Sequence, residues 1–211
     1  MMDMKERLRM ENEQKATRYR QLNQVALKGQ IVMTGSSLME QFPVTEFAMT
    51  MGKVIYNRGF GGFITTELME VLDDCVLALE PSKLFINIGT NDLDIAENAL
   101  ENLLIHYREI LEHIRHTLPS CKIIMLAYYP VCKESKGFTP PAGKRIRTKE
   151  VVDEANTAVK ALAEELGCEF VNVNSAIETE DGYLKPEYAS DMIHMWPSAY
   201  VKIMEALQPW L

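Results

Sequence analysis

Gln30-Ile31-Val32-Met33-Thr34-Gly35-Ser36-Ser37-Leu38 joins a short apolar run to a glycine and two hydroxyls. In an α/β fold this is how a strand ends and presents a side chain at the carboxyl edge of the sheet. The glycine lets the chain turn sharply. The helix that follows turns its amino end toward the hydroxyl, where developing negative charge is favoured. A serine so placed, Ser37 foremost, is a candidate nucleophile. It then needs a base, a carboxylate to orient that base, and hydrogen-bond donors from other segments.

Outward from this stretch, five short segments are nearly continuous in β-branched and aliphatic residues: 31–34, 54–57, 84–88, 123–128 and 170–173. Continuous apolarity without a two-residue alternation predicts strands covered on both faces. Between them run helical stripes. Leu68, Val71, Leu72, Cys75, Val76 and Leu79 make one; Leu100, Leu103, Leu104, Tyr107, Leu111, Ile114 and Leu118 make another. Val152, Ala155, Val159, Leu162 and Leu166 make a third, which Gly167 is expected to stop. Pro197 suits the first turn of a last helix that carries Ile203, Met204 and Leu207 inward. The alternation predicts a three-layer α/β/α domain around about five parallel strands with right-handed crossovers. An α+β fold with some antiparallel pairing is the competing architecture.

Two segments fall outside this scheme. Residues 3–28 read as a charged helix whose apolar face fades between Glu11 and Lys15. This divides the chain into an amino-terminal helical extension, 1–28, and a domain, 29–211. The extension lies across the domain or meets a second subunit, which leaves a homodimer open. Residues 131–147 form a long connection with Pro140-Pro141 and five basic residues, Lys133, Lys136, Lys144, Arg145 and Arg147. It leaves the edge where ligands bind in such sheets, so a substrate wall or lid is expected there.

The bulk composition narrows the partners. A length of 211 residues suffices for one full core, and a formal net charge of −8 argues against a nucleic-acid partner. The four cysteines, Cys75, Cys121, Cys132 and Cys168, lack the spacing of a zinc knuckle or redox motif and are expected as free buried thiols. No window approaches a membrane span, and the charged start lacks a signal-peptide core, so a cytoplasmic location is expected.

Three further segments carry chemistry to the same edge. Val54-Ile55-Tyr56-Asn57 runs into Arg58-Gly59-Phe60-Gly61-Gly62, where a backbone N–H can come close to a ligand. Leu84-Phe85-Ile86-Asn87-Ile88 runs into Gly89-Thr90-Asn91-Asp92, and Asp191-Met192-Ile193-His194 precedes the last helix. Each has a plainer explanation: glycines as turn chemistry, Asp92 or Asp94 as a cap of the following helix, Ser37 as a turn hydroxyl. Their weight lies in order and common placement. His106, His113 and His116 fall off the apolar stripe of their helix and are expected to face water.

Gly35-Ser36-Ser37-Leu38, Gly62, Gly89-Thr90-Asn91-Asp92 and Asp191-Met192-Ile193-His194 together resemble the four blocks of the SGNH hydrolases, the GDSL esterase/lipase family. The resemblance implies a flavodoxin-like fold and ester hydrolysis without a metal or other cofactor. It implies Ser37 as nucleophile, His194 as base and Asp191 as its orienting carboxylate. The oxyanion donors it implies are the N–H groups of Ser37 and Gly62 and the amide of Asn91. A small, short-chain acyl ester is the expected substrate, since no long apolar segment is present to shield a fatty chain. A thioesterase or lysophospholipase on the same residues is one alternative. A non-catalytic flavodoxin-like module that binds a small ligand is another. Ser36 stands where the family usually has Asp, as in some of its branches, and competes with Ser37 for the nucleophile's position. After His194, either Met195 or Trp196 lines an acyl pocket, or both serve the core.

Overall fold

All five apolar segments form strands, and every pairing between them is parallel. The computed structural model describes residues 4–94, 98–134, 136–140 and 146–211. In it β1 is Ile31–Gly35, β2 Ile55–Gly59, β3 Lys83–Asn87, β4 Lys122–Leu126 and β5 Glu169–Val171. Their order across the sheet is β2-β1-β3-β4-β5. The strand order reverses between β1 and β3, and ligands bind in such sheets outside the carboxyl ends at that crevice.

The last two strands end earlier than their apolar runs. Past Leu126 the Tyr128 backbone is held by side chains instead of a neighbouring strand: its N–H donates to Asn156 Oδ1 (2.7 Å) and its carbonyl accepts from Asn174 Nδ2 (2.9 Å).

The helices are α1 (Met4–Asn23), α2 (Ser37–Glu40), α3 (Val44–Met51), α4 (Thr65–Glu70), α5 (Leu72–Cys75), α6 (Ala99–Thr117), α7 (Lys149–Glu165) and α8 (Pro197–Leu207). Successive strand residues point to opposite faces, and two cores result. Val32, Leu84, Ile86 and Met125 meet α4 to α7 on one face. Ile31, Met33, Phe85, Ile124 and Leu126 meet α2, α3 and α8 on the other. This is the expected α/β/α layering. The α7 stop also matches expectation: Gly167 N–H bonds Glu164 O (3.2 Å) and Cys168 N–H bonds Ala163 O (2.8 Å), the paired bonds of a Schellman ending.

One expected helix is broken. The stripe from Leu68 to Leu79 is divided into α4, α5 and a 3₁₀ turn over Leu77–Leu79, although Leu68, Leu72, Cys75, Val76 and Leu79 are all buried as expected. The breaks fall at Val71 (φ −112°, ψ 8°) and Val76 (φ −125°, ψ −60°). Both are β-branched and lose side-chain freedom against a preceding helical turn. All four cysteines are free thiols; Cys75 and Cys132 are buried, whereas Cys121 and Cys168 are only half-buried. Burial pushes the Cys75 thiol up to about 12.

The helix expected over 3–28 ends at Asn23 and lies across its own domain, with Asn12 and Ala16 buried. Of the 131–147 connection, residues 135 and 141–145, including Lys144 and Arg145, lie outside the described residues, so the expected lid is described only at its two ends. Among the described residues no helix is long and apolar enough to cross a membrane.

Candidate active site

At the carboxyl end of β1 the backbone of Gly35 takes φ +148°, and a Cβ there would stand 2.0 Å from the carbonyl oxygen of Asn87 in β3. Only glycine permits that approach, and it lets the chain leave the sheet at once and begin α2 on Ser37. Ser36 is buried at 1% exposure. Its N–H donates to Asn87 O (3.3 Å), and its carbonyl accepts from Met39 and Glu40 N–H. Ser37, one position on, is the hydroxyl that meets the imidazole: Ser37 Oγ lies 3.0 Å from His194 Nε2, across 157 residues of chain.

A turn holds that imidazole before α8. Ser190 N–H bonds His194 O (2.9 Å), Trp196 N–H bonds Tyr188 O (2.8 Å), and Cys132 N–H past β4 bonds Met192 O (2.8 Å). Asp191 closes the turn from within. Its Oδ1 accepts the N–H groups of Ile193 and His194, each at 2.7 Å, and its Oδ2 lies 2.8 Å from His194 Nδ1. Burial pushes the Asp191 carboxyl up, but the two backbone donors and the imidazole outweigh it and hold the group below the usual carboxylate range. An ionised Oδ2 facing Nδ1 assigns the ring proton to Nδ1. The Nε2 lone pair then points at Ser37 Oγ.

Asn91 is fixed at both ends of its amide. Nδ2 donates to Phe63 O (2.9 Å), and Oδ1 accepts from Arg147 Nη2 (3.3 Å). A guanidinium only donates and a carbonyl only accepts, so one orientation of the amide fits. The second N–H of Nδ2 has no partner among the described residues. Arg147 is itself buried at 4% exposure and paired with Asp94 (Nη2 to Oδ2, 2.7 Å).

The glycine-rich run after β2 sorts itself by its hydrogen bonds. Gly59 N–H is committed to Asn57 Oδ1 (2.8 Å), Phe60 N–H to Gly35 O (2.9 Å) and Phe63 N–H to Phe60 O (3.4 Å). Gly61 and Gly62 are the glycines of the run whose N–H groups these bonds do not use.

Two expectations are corrected. Asp92 does not cap the helix after it. Its buried carboxylate instead takes Thr65 N–H (3.1 Å) and Thr65 Oγ1 (2.5 Å) at the start of α4, earlier in the chain. Asp94 does not cap α6 either, whose N-cap is Asn98, and pairs with Arg147. In the basic connection the described cations each have a partner within the protein. Lys133 faces Asp181 (3.5 Å), Lys136 Nζ donates to Pro186 O and Ala189 O, and Arg147 is neutralised in the interior. The open choice after His194 is settled in part: Met195 is core at 4% exposure, while Trp196 stands 53% exposed beside the site. His113 and His116 are exposed on α6 and His106 is half-buried against Glu109, all away from Ser37.

Asn57 is the residue that sequence reasoning passed over. Its Nδ2 donates to Met39 O (2.8 Å), Phe42 O (3.0 Å) and Glu40 O (3.1 Å), the carbonyls where the short helix α2 ends. An amide at the end of β2 that binds three carbonyls at the end of α2 therefore holds the helix that begins with Ser37.

Comparison with known proteins decides the family. The model of the GDSL-like Lipase/Acylhydrolase family matches residues 37–202, from the candidate nucleophile past His194. The chain belongs to this family. It is a carboxylic ester hydrolase. This GDSL acylhydrolase is 25% identical over 185 residues to the GDSL esterase/lipase CPRD49 of Arabidopsis thaliana, a match covering 79% of this chain and 72% of the relative. A Streptococcus pneumonia protein provisionally described as a platelet activating factor superposes with a TM-score of 0.85 at 29% identity, covering 96% of this chain and 94% of that one. The fold is also shared with Axe2, an acetylxylan esterase from Geobacillus stearothermophilus, at a TM-score of 0.65 and 16% identity, covering 86% and 94% of the two chains.

Proposed function

We propose that this GDSL acylhydrolase is a serine esterase acting on small, short-chain acyl esters. The observation that carries the reading is the relay from Ser37 Oγ to His194 Nε2 (3.0 Å) and from His194 Nδ1 to Asp191 Oδ2 (2.8 Å). Ser37 Oγ attacks the acyl carbon while His194 Nε2 takes its proton, and Asp191 stabilises the imidazolium that forms. His194 then returns the proton to the leaving alkoxide as the acyl–oxygen bond breaks, giving an acyl-Ser37. Water, deprotonated by His194, cleaves that ester in turn and restores the serine.

The tetrahedral oxyanion receives the N–H groups of Ser37 and Gly62 and the spare N–H of Asn91. Replacing Asn91 by alanine should lower kcat on the order of 10²- to 10³-fold with KM little changed, because the donor is aimed at charge that exists only in the transition state. Single-turnover and steady-state rates with p-nitrophenyl acetate measure this directly.

The short-acyl preference is supported by the closed packing next to the segments that carry the site. Phe60 and Phe63 stack at 4.5 Å, Phe42 and Tyr200 meet at 4.8 Å, and all four rings are buried. A Cβ on Gly89 would meet Tyr128 Oη at 2.5 Å and Leu103 Cδ1 at 2.7 Å, so the chain leading to Asn91 rests on closed packing. Against closed packing a longer acyl chain does not gain the roughly 0.8 kcal/mol per methylene that burial would give. Across p-nitrophenyl acetate, butyrate, octanoate and laurate, kcat/KM is expected to be highest on the two shortest. A maximum at laurate would favour a lysophospholipase instead. Failure of a fluorophosphonate probe to label the protein at all would favour a binding module.

A further inference from the structure

The amino-terminal helix lies outside the segment that the family model matches, yet one of its faces is spent on the loop after β2 and on α2. Leu8, Asn12, Lys15, Ala16 and Tyr19 are spaced i, i+4, i+7, i+8 and i+11, which places them on one face of α1. Asn12, 8% exposed, donates from Nδ2 to Gly61 O (3.1 Å). Tyr19 donates its hydroxyl to Gly59 O (3.3 Å) and meets Phe60 edge-on at 5.3 Å. Lys15 sits over the Phe60 ring at 5.7 Å and pairs with Glu40, the last residue of α2. At Gly62 (φ +77°) a Cβ would stand 2.8 Å from Leu8 Cδ2, so the glycine backbone takes the helix side chain directly against itself.

We infer that α1 is part of the esterase site, holding the Gly59–Gly62 backbone and α2 in the positions that the oxyanion requires, with Asn12 and Tyr19 as positioning residues. The inference rests on the reading of Ser37 and Gly62 given above. The physical need is plain. The Gly59–Gly62 loop is rich in glycine, and such backbone is free to reorient unless something outside it fixes the carbonyls. A bond to Gly61 O fixes the plane of the Gly61–Gly62 peptide, and that peptide carries the N–H of Gly62. The helix therefore sets the direction of the donor without touching the substrate.

The helix's weak apolar face has the same cause. Where apolarity fades, between Glu11 and Lys15, the face works through hydrogen bonds and an ion pair instead of through buried hydrocarbon.

The test uses the full chain with Asn12→Ala and, as a gentler change, Tyr19→Phe, which keeps the ring against Phe60. Arg20→Ala is the comparison. Arg20 pairs with Asp74 (2.8 Å) from the far end of the same helix and touches neither the loop nor α2. Three readouts are taken: kcat and KM on p-nitrophenyl acetate, the rate of fluorophosphonate labelling, and Tm. Asn12→Ala is expected to lower kcat and the labelling rate about tenfold each, with KM within about twofold of wild type, and Tyr19→Phe to do the same to a lesser degree. Arg20→Ala is expected to lower Tm while both rates stay at the wild-type level.

Wild-type kcat in Asn12→Ala and Tyr19→Phe would overturn the inference. So would loss of kcat in all three variants in proportion to Tm, since that is what a merely structural helix gives. If Ser37→Ala is inactive while Asn12→Ala is unimpaired, only the helix's role falls. If Ser37→Ala keeps full activity, the esterase reading falls and the inference with it.

Discussion

Ser37→Ala is expected to lower kcat on p-nitrophenyl acetate by about 10⁴- to 10⁶-fold and to leave Tm close to the wild-type value. The asymmetry follows from the position of the hydroxyl. Ser37 opens α2 at the carboxyl edge and is half-buried, and among the described residues its Oγ bonds only His194 Nε2. Removing Oγ leaves that nitrogen within reach of water, so no polar group is left buried without a partner. What is lost is the covalent route, since no acyl-enzyme forms without the oxygen. Any residual rate comes from binding and oxyanion stabilisation acting on water. Fluorophosphonate labelling should disappear with the activity.

Ser36→Ala separates the two hydroxyls. Ser36 is buried with its backbone committed to Asn87 and to α2, so the variant should still be labelled at Ser37. Labelling and turnover that persist in Ser37→Ala and vanish in Ser36→Ala would move the nucleophile by one residue.

The fold was legible because strands buried on both faces leave a continuous apolar signature that needs no partner to be recognised. Val32, Leu84, Ile86 and Met125 show it on one face, and Met33, Phe85 and Ile124 on the other. The residues of the relay were legible because each stands in a short local block. Their supports were not. Asn57 acts on carbonyls 15 to 18 residues earlier, and Arg147 on carboxylate and amide groups 53 to 56 residues earlier. Nothing local in the sequence distinguishes a buried, paired Arg147 from a solvated one, so it read as one more cation in a basic connection. The same limit applies to Asp92, whose partner Thr65 precedes it by 27 residues. The break of the Leu68–Leu79 stripe was hidden for another reason. Apolar spacing records which side faces the core, and α4 and α5 preserve that facing through backbone turns at Val71 and Val76.

Asp191→Asn is expected to lower kcat about 10⁴-fold while leaving most of the fold's stability in place. The carboxylate serves two sets of donors, and an amide can satisfy only one of them in the required sense. The side-chain oxygen of asparagine can stand at Oδ1 and keep the bonds from Ile193 and His194 N–H, so the turn survives. Its NH₂ then stands at Oδ2 and faces His194 Nδ1. A donor there requires Nδ1 to accept, which moves the ring proton to Nε2. An Nε2–H donates to Ser37 Oγ and cannot take its proton, so the imidazole remains in place in the wrong tautomer.

Asp191→Ala lacks both acceptors and should lose Tm as well as kcat. The contrast between the two variants thus separates the turn from the chemistry.

Acid provides a second contrast. The native Asp191 carboxyl is held below its unfolded value, so its contribution to stability is complete above the unfolded pKa and is lost as pH falls through the lowered native one. Asparagine does not titrate. The Tm advantage of wild type over Asp191→Asn should therefore shrink as pH falls through that native pKa, and an advantage that grows in acid would mean that Asp191 is not the ionised partner of His194.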